Sequence, residues 1–397
     1  MTVKKSGSNG GTRVPDGPSR RKFLAGLAAA AAGAAGAAAC SSGGGGSGGD
    51  AAAPAAPASA LPTLAGGRRI DVHHHYGPPG WIKIMTENNA LAAPWKTWSV
   101  AKDVEDMDKA GVATSISSIT TPGVYFHEGF GNGNMSGAKL NNDVVALARE
   151  CNEYGAKMKQ DYPGRFGIWA SLPLPNVDAA LREIEYALDT LKLEGICVLT
   201  SIGSRYPGDP SFVPVFEELN RRKAVLYTHP QVAPCCRQLV QVKDNNYLGP
   251  TTLEYSQDTA RAIASWVDSG NAERFPDIPV IFSHGGGNIW GQRFVSAEVG
   301  SKPSRFGEGG KYGPKMTIMR RFYYDIAQIS HFLHLQNLKT MVGVSQIVLG
   351  SDYPYGQPAE YAQDVIDMVE DGLFTAEDEA AIGRGNALRL LPHLNTT

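Results

Sequence analysis

Four short stretches of the chain carry the donors from which a metal centre is built: "RRIDVHHHYGPPGW" at 68–81, "YTHP" at 227–230, "FSHGGG" at 282–287 and "LGSDYP" at 349–354. The histidine triplet lies inside the chain and is too short for a purification tag. In an extended strand alternate side chains share a face, so His73 and His75 are expected to point together while His74 turns to a wall or loop. With His229, His284 and Asp352 they form a set of imidazoles and one carboxylate, suited to zinc and acceptable to manganese, cobalt or iron. A cation can polarise a hydroxyl or carboxylate and acidify its bound water, and an imidazole can pass a proton in either direction near pH 7. Two chemistries use those parts. In decarboxylation, Asp352 or His284 would protonate the carbon that loses carbon dioxide; in hydrolysis, the same groups would activate water against a carbonyl.

Such distant residues meet only if the fold gathers them. Eight β-rich runs are legible at 68–73, 113–119, 166–172, 195–200, 224–229, 279–284, 322–327 and 346–351. Most are continuously apolar, as strands buried on both faces should be. Amphipathic stretches separate them; Leu181, Ile184, Leu188 and Leu191 recur at helical spacing and predict one buried helix face. Alternating strands and helices over this length predict an α/β fold, a (β/α)8 TIM barrel. An open doubly wound sheet is disfavoured because no glycine-rich dinucleotide fingerprint follows the first strand. The long segments 74–100, 120–140, 201–212, 230–256 and 285–312 all follow strands, at the end of a barrel where active sites form. Gly285, Gly286 and Gly287 lack the Lys-Ser/Thr of a phosphate loop, and are expected to let the backbone pass close to metal and substrate.

These motifs in this order, with the closing "GRGNALRLL", resemble the amidohydrolase-related family that contains aminocarboxymuconate-semialdehyde decarboxylase and the salicylate-type and resorcylate decarboxylases. The resemblance covers residues 68–392. It implies that His73, His75, His229 and Asp352 hold one divalent metal, zinc or manganese, and that His284 is an acid/base beside it. It implies a small aromatic or unsaturated carboxylic acid as substrate and a homodimer, in some relatives of which a partner arginine enters the site. Arg293 lies in the corresponding loop with different spacing. The end of the fourth strand, "GICVLTSIG", has no Lys or Glu to bridge a second metal, which favours a single ion. Arg205 and Arg293 could each pair with a substrate carboxylate, and Trp81, Trp95, Trp98 and Trp290 could wall a flat ring. His127, His331, His334 and His393 are assigned loop or helix roles. The rival activities are a hydrolase of a lactone, ester or amide, and a noncatalytic, surface-tethered binding protein.

The N-terminus is a different object. Residues 1–40 hold paired Arg20 and Arg21, an Ala/Gly stretch too short and too weakly apolar to span a bilayer, and then Cys40. They read as a twin-arginine export signal ending in a lipoprotein processing site, so the expected location is periplasmic or extracellular, with a membrane tether through lipidated Cys40. Residues 41–67 are nearly all Gly, Ser, Ala and Pro, a flexible linker. The catalytic domain is then 68–397. Its four cysteines are too few for a disulfide framework, and a net charge of −2 without basic clusters past the N-terminus argues against nucleic acid as a partner.

Overall fold

The structure, a computed structural model, describes residues 67–126, 137–236, 251, 253–295 and 312–396. The export signal, Cys40, the linker and His127 lie outside the described residues. Eight strands run in parallel: β1 Arg69–His75, β2 Val112–Ser118, β3 Phe166–Ser171, β4 Gly195–Leu199, β5 Val225–His229, β6 Val280–Phe282, β7 Tyr323–Asp325 and β8 Ile347–Val348. Each pairs with its neighbour in chain order from β1 to β8. The seam between β1 and β8 is held by the Val72 N–H donating to Leu349 O at 2.9 Å and the His75 N–H donating to Tyr353 O at 2.9 Å. Helices alternate with the strands, giving the expected (β/α)8 barrel.

The alternating pattern of β-branched and aromatic residues divides the apolar side chains into two layers. Ile70, Val72, Ile116, Trp169, Cys197, Val225, Tyr227, Ile281 and Val348 form one cluster inside the barrel. Ile168, Ile196, Leu226 and Phe282 face the other way, into the cluster shared with helices such as Val213–Arg222 and Glu254–Asp268. The Trp169 indole crosses the interior and donates to Val72 O at 2.9 Å, satisfying a polar group where water does not reach.

Two local differences from the sequence expectation have physical causes. β8 is only two residues long, because the chain from Leu349 to Tyr353 leaves its ladder with β7 and bonds to β1 instead. The helix Val177–Glu185 gives way to a π-helical turn at Tyr186–Thr190. Before it Ala180 and Ile184 are buried and Leu181 is half-buried; the wider turn then brings Ala187 inward and leaves Leu188 and Leu191 half-buried, so only Ile184 of the expected apolar face is fully buried.

Strict alternation also fails in β1, with consequence for the site. Ile70 and Val72 face the barrel interior, which would bring His74 inward next. Between Asp71 and His74, however, the register against β2 slips: the pairs Asp71–Ser115 and His74–Ser117 set three steps on β1 against two on β2. This bulge re-aims the strand so that His73 and His75 reach the mouth of the barrel. The Asp71 side chain occupies the break, accepting the His73 N–H at 3.0 Å and the Ser351 N–H at 3.2 Å.

Candidate metal centre

The strand ends of β1, β5 and β8 deliver His73, His75, His229 and Asp352 to one point, all buried and with one ligand atom each within 4.8 Å of the others. Asp352 Oδ1 lies 3.2 Å from His73 Nε2, 2.9 Å from His75 Nε2 and 3.9 Å from His229 Nε2. Donors around a tetrahedral cation with 2.0–2.1 Å bonds stand about 3.3 Å apart, which these separations bracket.

The far side of each ring is already committed. His75 Nδ1–H donates to Ser118 O at 3.2 Å, and His229 Nδ1–H donates to Pro230 O at 2.9 Å. His73 Nδ1 pairs with Asp325 Oδ2 at 2.9 Å. Each Nε2 is thereby left to face the centre, the arrangement by which metal-binding imidazoles are oriented. Burial, together with the charge of neighbouring His229 and His73, holds His75 down to about 3, and burial likewise holds His229 down to about 4. Both rings are therefore neutral, and their Nε2 lone pairs point at an anionic oxygen. Burial opposes a charge on His73, but Asp325 and Asp352 outweigh it and push the ring up to about 10. A proton on its Nε2 occupies the place a cation would take. Burial also works against ionisation of Asp352, yet the charge of His73 and the nearby rings of His229 and His284 hold the carboxyl well below the usual range. The Nε2 atoms of His73 and His229 have no hydrogen-bond partner. Buried imidazole nitrogens without partners, gathered around one carboxylate oxygen, fit a divalent cation that takes the place of the His73 proton.

His284 follows β6 and approaches from the other oxygen, with Nε2 3.5 Å from Asp352 Oδ2 and no hydrogen-bond partner. Its ring stacks on that of His73 at 4.9 Å between centroids. Its backbone is left-handed, with φ 51°, and Gly285, Gly286 and Gly287 continue at 60°, 81° and 63°. Four successive residues of that hand explain the glycine triplet. The expectation that these glycines bring backbone close to the metal is corrected by their neighbours: a Cβ on Gly286 would meet Tyr324, and one on Gly287 would meet Ser256 O at 2.2 Å. Their role is to seat the His284 turn against the outer helix. Gly350 is the glycine required at the centre itself, since a Cβ there would stand 2.7 Å from His73 Cβ.

His74 turns away from the centre. Its Nδ1 lies 3.0 Å from Asp71 Oδ2 and its Nε2 2.8 Å from Asp103 Oδ1, while its ring stacks on Tyr353. Two residues absent from the sequence reading belong to the site. Asp325, at the end of β7, holds His73 and also accepts the His284 N–H at 2.9 Å. Gln328, three residues on, donates from Nε2 to Asp352 Oδ2 at 3.0 Å. Asp325 carried the same signal as the ligands, an acid at a strand end; Gln328 carried none.

The substrate-contact residues are placed differently from one another. Arg205 donates from Nη1 to Ser211 Oγ at 2.9 Å and lies over the Phe212 ring, within its own loop. Arg293 is exposed at the start of the helical residues 293–295 that follow Ile289–Gly291. Trp290 donates to Gly285 O at 2.6 Å and packs edge-on to Tyr324, bracing the glycine turn. Trp81, Trp95 and Trp98 form a chain of edge contacts, and Trp95 donates to Tyr355 Oη at 2.9 Å. His331 occupies the N-cap position of the helix Phe332–Val342 and His334 lies in its first turn, both exposed.

A cavity opens at the same mouth on the β2–β5 side. Ser171, Leu199 and His229 stand two residues beyond the interior side chains Trp169, Cys197 and Tyr227, on the same inward rows. The cavity is walled by Ile119, Val124, Leu172, Leu199 and Ile202, with Ser171, Ser201 and Gln231 as polar points. No charged side chain lines it among the described residues.

The model of the amidohydrolase family matches residues 70–393. The chain belongs to that family. Among curated amidohydrolase relatives, the decarboxylase macB of Penicillium terrestre is 32% identical over 343 residues, covering 82% of this chain and 95% of that protein. The 6-methylsalicylic acid decarboxylase of Penicillium expansum is 29% identical, covering 82% of this chain and 97% of that protein. Among solved structures, a dihydroxybenzoic acid decarboxylase from a Polaromonas species, with bound manganese and 2-nitroresorcinol, superposes with a TM-score of 0.66 at 20% identity, covering 82% of this chain and 97% of that one.

Proposed function

We propose that this amidohydrolase is a metal-dependent decarboxylase of a small aromatic carboxylic acid of the salicylate type. The observation that carries the reading is the convergence of the His73, His75 and His229 Nε2 atoms on Asp352 Oδ1, those of His73 and His229 without a hydrogen-bond partner, with the equally partnerless His284 Nε2 beside the other oxygen. The decarboxylase relatives support the choice of chemistry.

His73, His75, His229 and Asp352 would hold one divalent ion, zinc first and manganese second; when bound, the ion supplies a fixed positive charge for the substrate's anionic oxygens. The protein's own residues do the rest. The uncharged cavity beside Leu199 and Gln231 takes the ring and excludes water from its face. The charge that recognises the carboxylate is assigned to the centre, with Arg205, held in its own loop against Ser211, Arg293 and a homodimer partner left to the outer rim. As the bond between ring carbon and carboxylate breaks, its electron pair stays on the ring carbon, and carbon dioxide departs. A proton from His284 Nε2 completes that carbon. Asp352 is committed to the imidazoles through Oδ1 and to Gln328 through Oδ2, which leaves His284 as the group free to move a proton.

Incubation of zinc- or manganese-loaded protein with 2-hydroxybenzoates, including 6-methylsalicylate, should release carbon dioxide and the matching phenol. Release of an acid from lactones, esters or amides, with no carbon dioxide from any benzoate, would assign the hydrolase reading instead. Turnover of neither class leaves the binding-protein reading.

The N-terminal reading adds export through the twin-arginine signal of residues 1–40 and a periplasmic or extracellular enzyme tethered by lipidated Cys40. Intact mass of the exported protein tests it: a diacylglycerol-sized increment on a chain starting at Cys40 is expected, and is lost in Cys40→Ala. The homodimer is tested by light scattering.

A further inference from the structure

Six non-glycine residues of the described chain have left-handed backbone, and three of them, His284, Gln328 and Asp352, meet around one carboxylate. Histidine and aspartate tolerate this region; glutamine is not among the residues that favour it. Gln328 nevertheless has φ 63°, and its backbone N–H donates to Tyr361 Oη at 3.2 Å. It is itself exposed at the mouth, while the carboxylate its amide reaches is buried. A side chain kept at a backbone position better suited to glycine points to a function for that side chain.

We propose that Gln328 is a positioning residue that divides the work of the two Asp352 oxygens. Its amide retains Oδ2, at 3.0 Å, beside His284 Nε2, and so turns Oδ1 alone toward His73, His75 and His229. A carboxylate held in this way would offer a cation one oxygen and not two, so that the four protein donors leave room for a fifth from the substrate. The remaining amide N–H and the amide carbonyl of Gln328 have no partner among the described residues and face no competing claim on the side chain. The inference rests on the divalent-metal reading of the centre, though not on the identity of the substrate.

The test compares wild type with Gln328→Gly and Gln328→Asn, each loaded with cobalt(II). Glycine relieves the left-handed backbone, and asparagine tolerates it but is one methylene too short to reach Oδ2. Both variants should melt, metal-free, at or above the wild-type temperature. Both should nevertheless show a visible cobalt spectrum weakened severalfold toward higher coordination, and a salicylate KM raised about tenfold, within the range found when a group orienting a metal ligand is removed. A wild-type cobalt spectrum in both variants overturns the proposal. A lower metal-free melting temperature with an unaltered spectrum also overturns it, since Gln328 would then serve the fold alone. Failure of the wild-type protein to bind cobalt is a distinct result, which rejects the metal reading itself.

Discussion

Asp71 accepts the backbone N–H of His73 at 3.0 Å, and this one contact sits inside the bulge that turns the two ligating histidines of β1 inward. The same carboxylate takes Ser351 N–H at 3.2 Å and its hydroxyl at 2.5 Å, and faces His74. It therefore ties the break in β1 to the segment that carries Asp352. Asp71→Ala should lower the unfolding free energy by about 3–5 kcal/mol, the cost of opening a buried ionic network, and should reduce bound metal. Urea melts and elemental analysis check both; a variant with native stability and full metal content would show that the bulge forms without this carboxylate.

Asp325 joins the centre to His284, since it contacts His73 Nδ1 through one oxygen and His284 N–H through the other. In Asp325→Asn the amide can keep only one of the two contacts with the right polarity. An amide N–H against Nδ1 would force the proton to Nε2, where the cation must bind. Metal affinity should fall about 10–100-fold, measured by chelator competition, with far-UV circular dichroism unchanged. Unaltered affinity would remove Asp325 from the account.

His284→Asn keeps a side chain that tolerates the left-handed backbone at φ 51° while removing the imidazole. The variant should retain one metal per chain and lose about 10²–10⁴ in kcat on a salicylate substrate. Retention of turnover would assign the proton to another group.

His74 provides a pH dependence of stability that is separate from catalysis. Burial disfavours its charge, but Asp103 and Asp71 outweigh burial and push it up to about 10, above the ordinary 6.5. The stabilisation is thus complete below pH 6.5 and is lost as pH rises through the folded value. Between pH 6.5 and 9 the loss should reach up to about 3 kcal/mol. Urea melts across that interval should show the decline in wild type and a flatter profile in His74→Leu. Equal slopes for the two proteins would contradict the charged, doubly paired ring.

The sequence by itself determined the barrel and the roster at its mouth. Eight apolar β-rich runs separated by helical stretches admit few folds, and parallel strands bring all their carboxyl ends to one rim; His73, His75, His229, His284 and Asp352 had to meet because each lies at the carboxyl end of a strand or a few residues beyond it. Alternation named the right pair in the histidine triplet, but Ile70 and Val72 face inward too, and only a bulge reconciles both facts. That bulge, the left-handed turns at His284, Gln328 and Asp352, and the pairing of Asp325 with His73 exist only after closure. They rest on contacts between segments 24 to 280 residues apart, as between Gln328 and Asp352 or Asp71 and Ser351. Local propensity records which residues end a strand. It carries no information on the distant backbone and carboxylates that decide where those residues point.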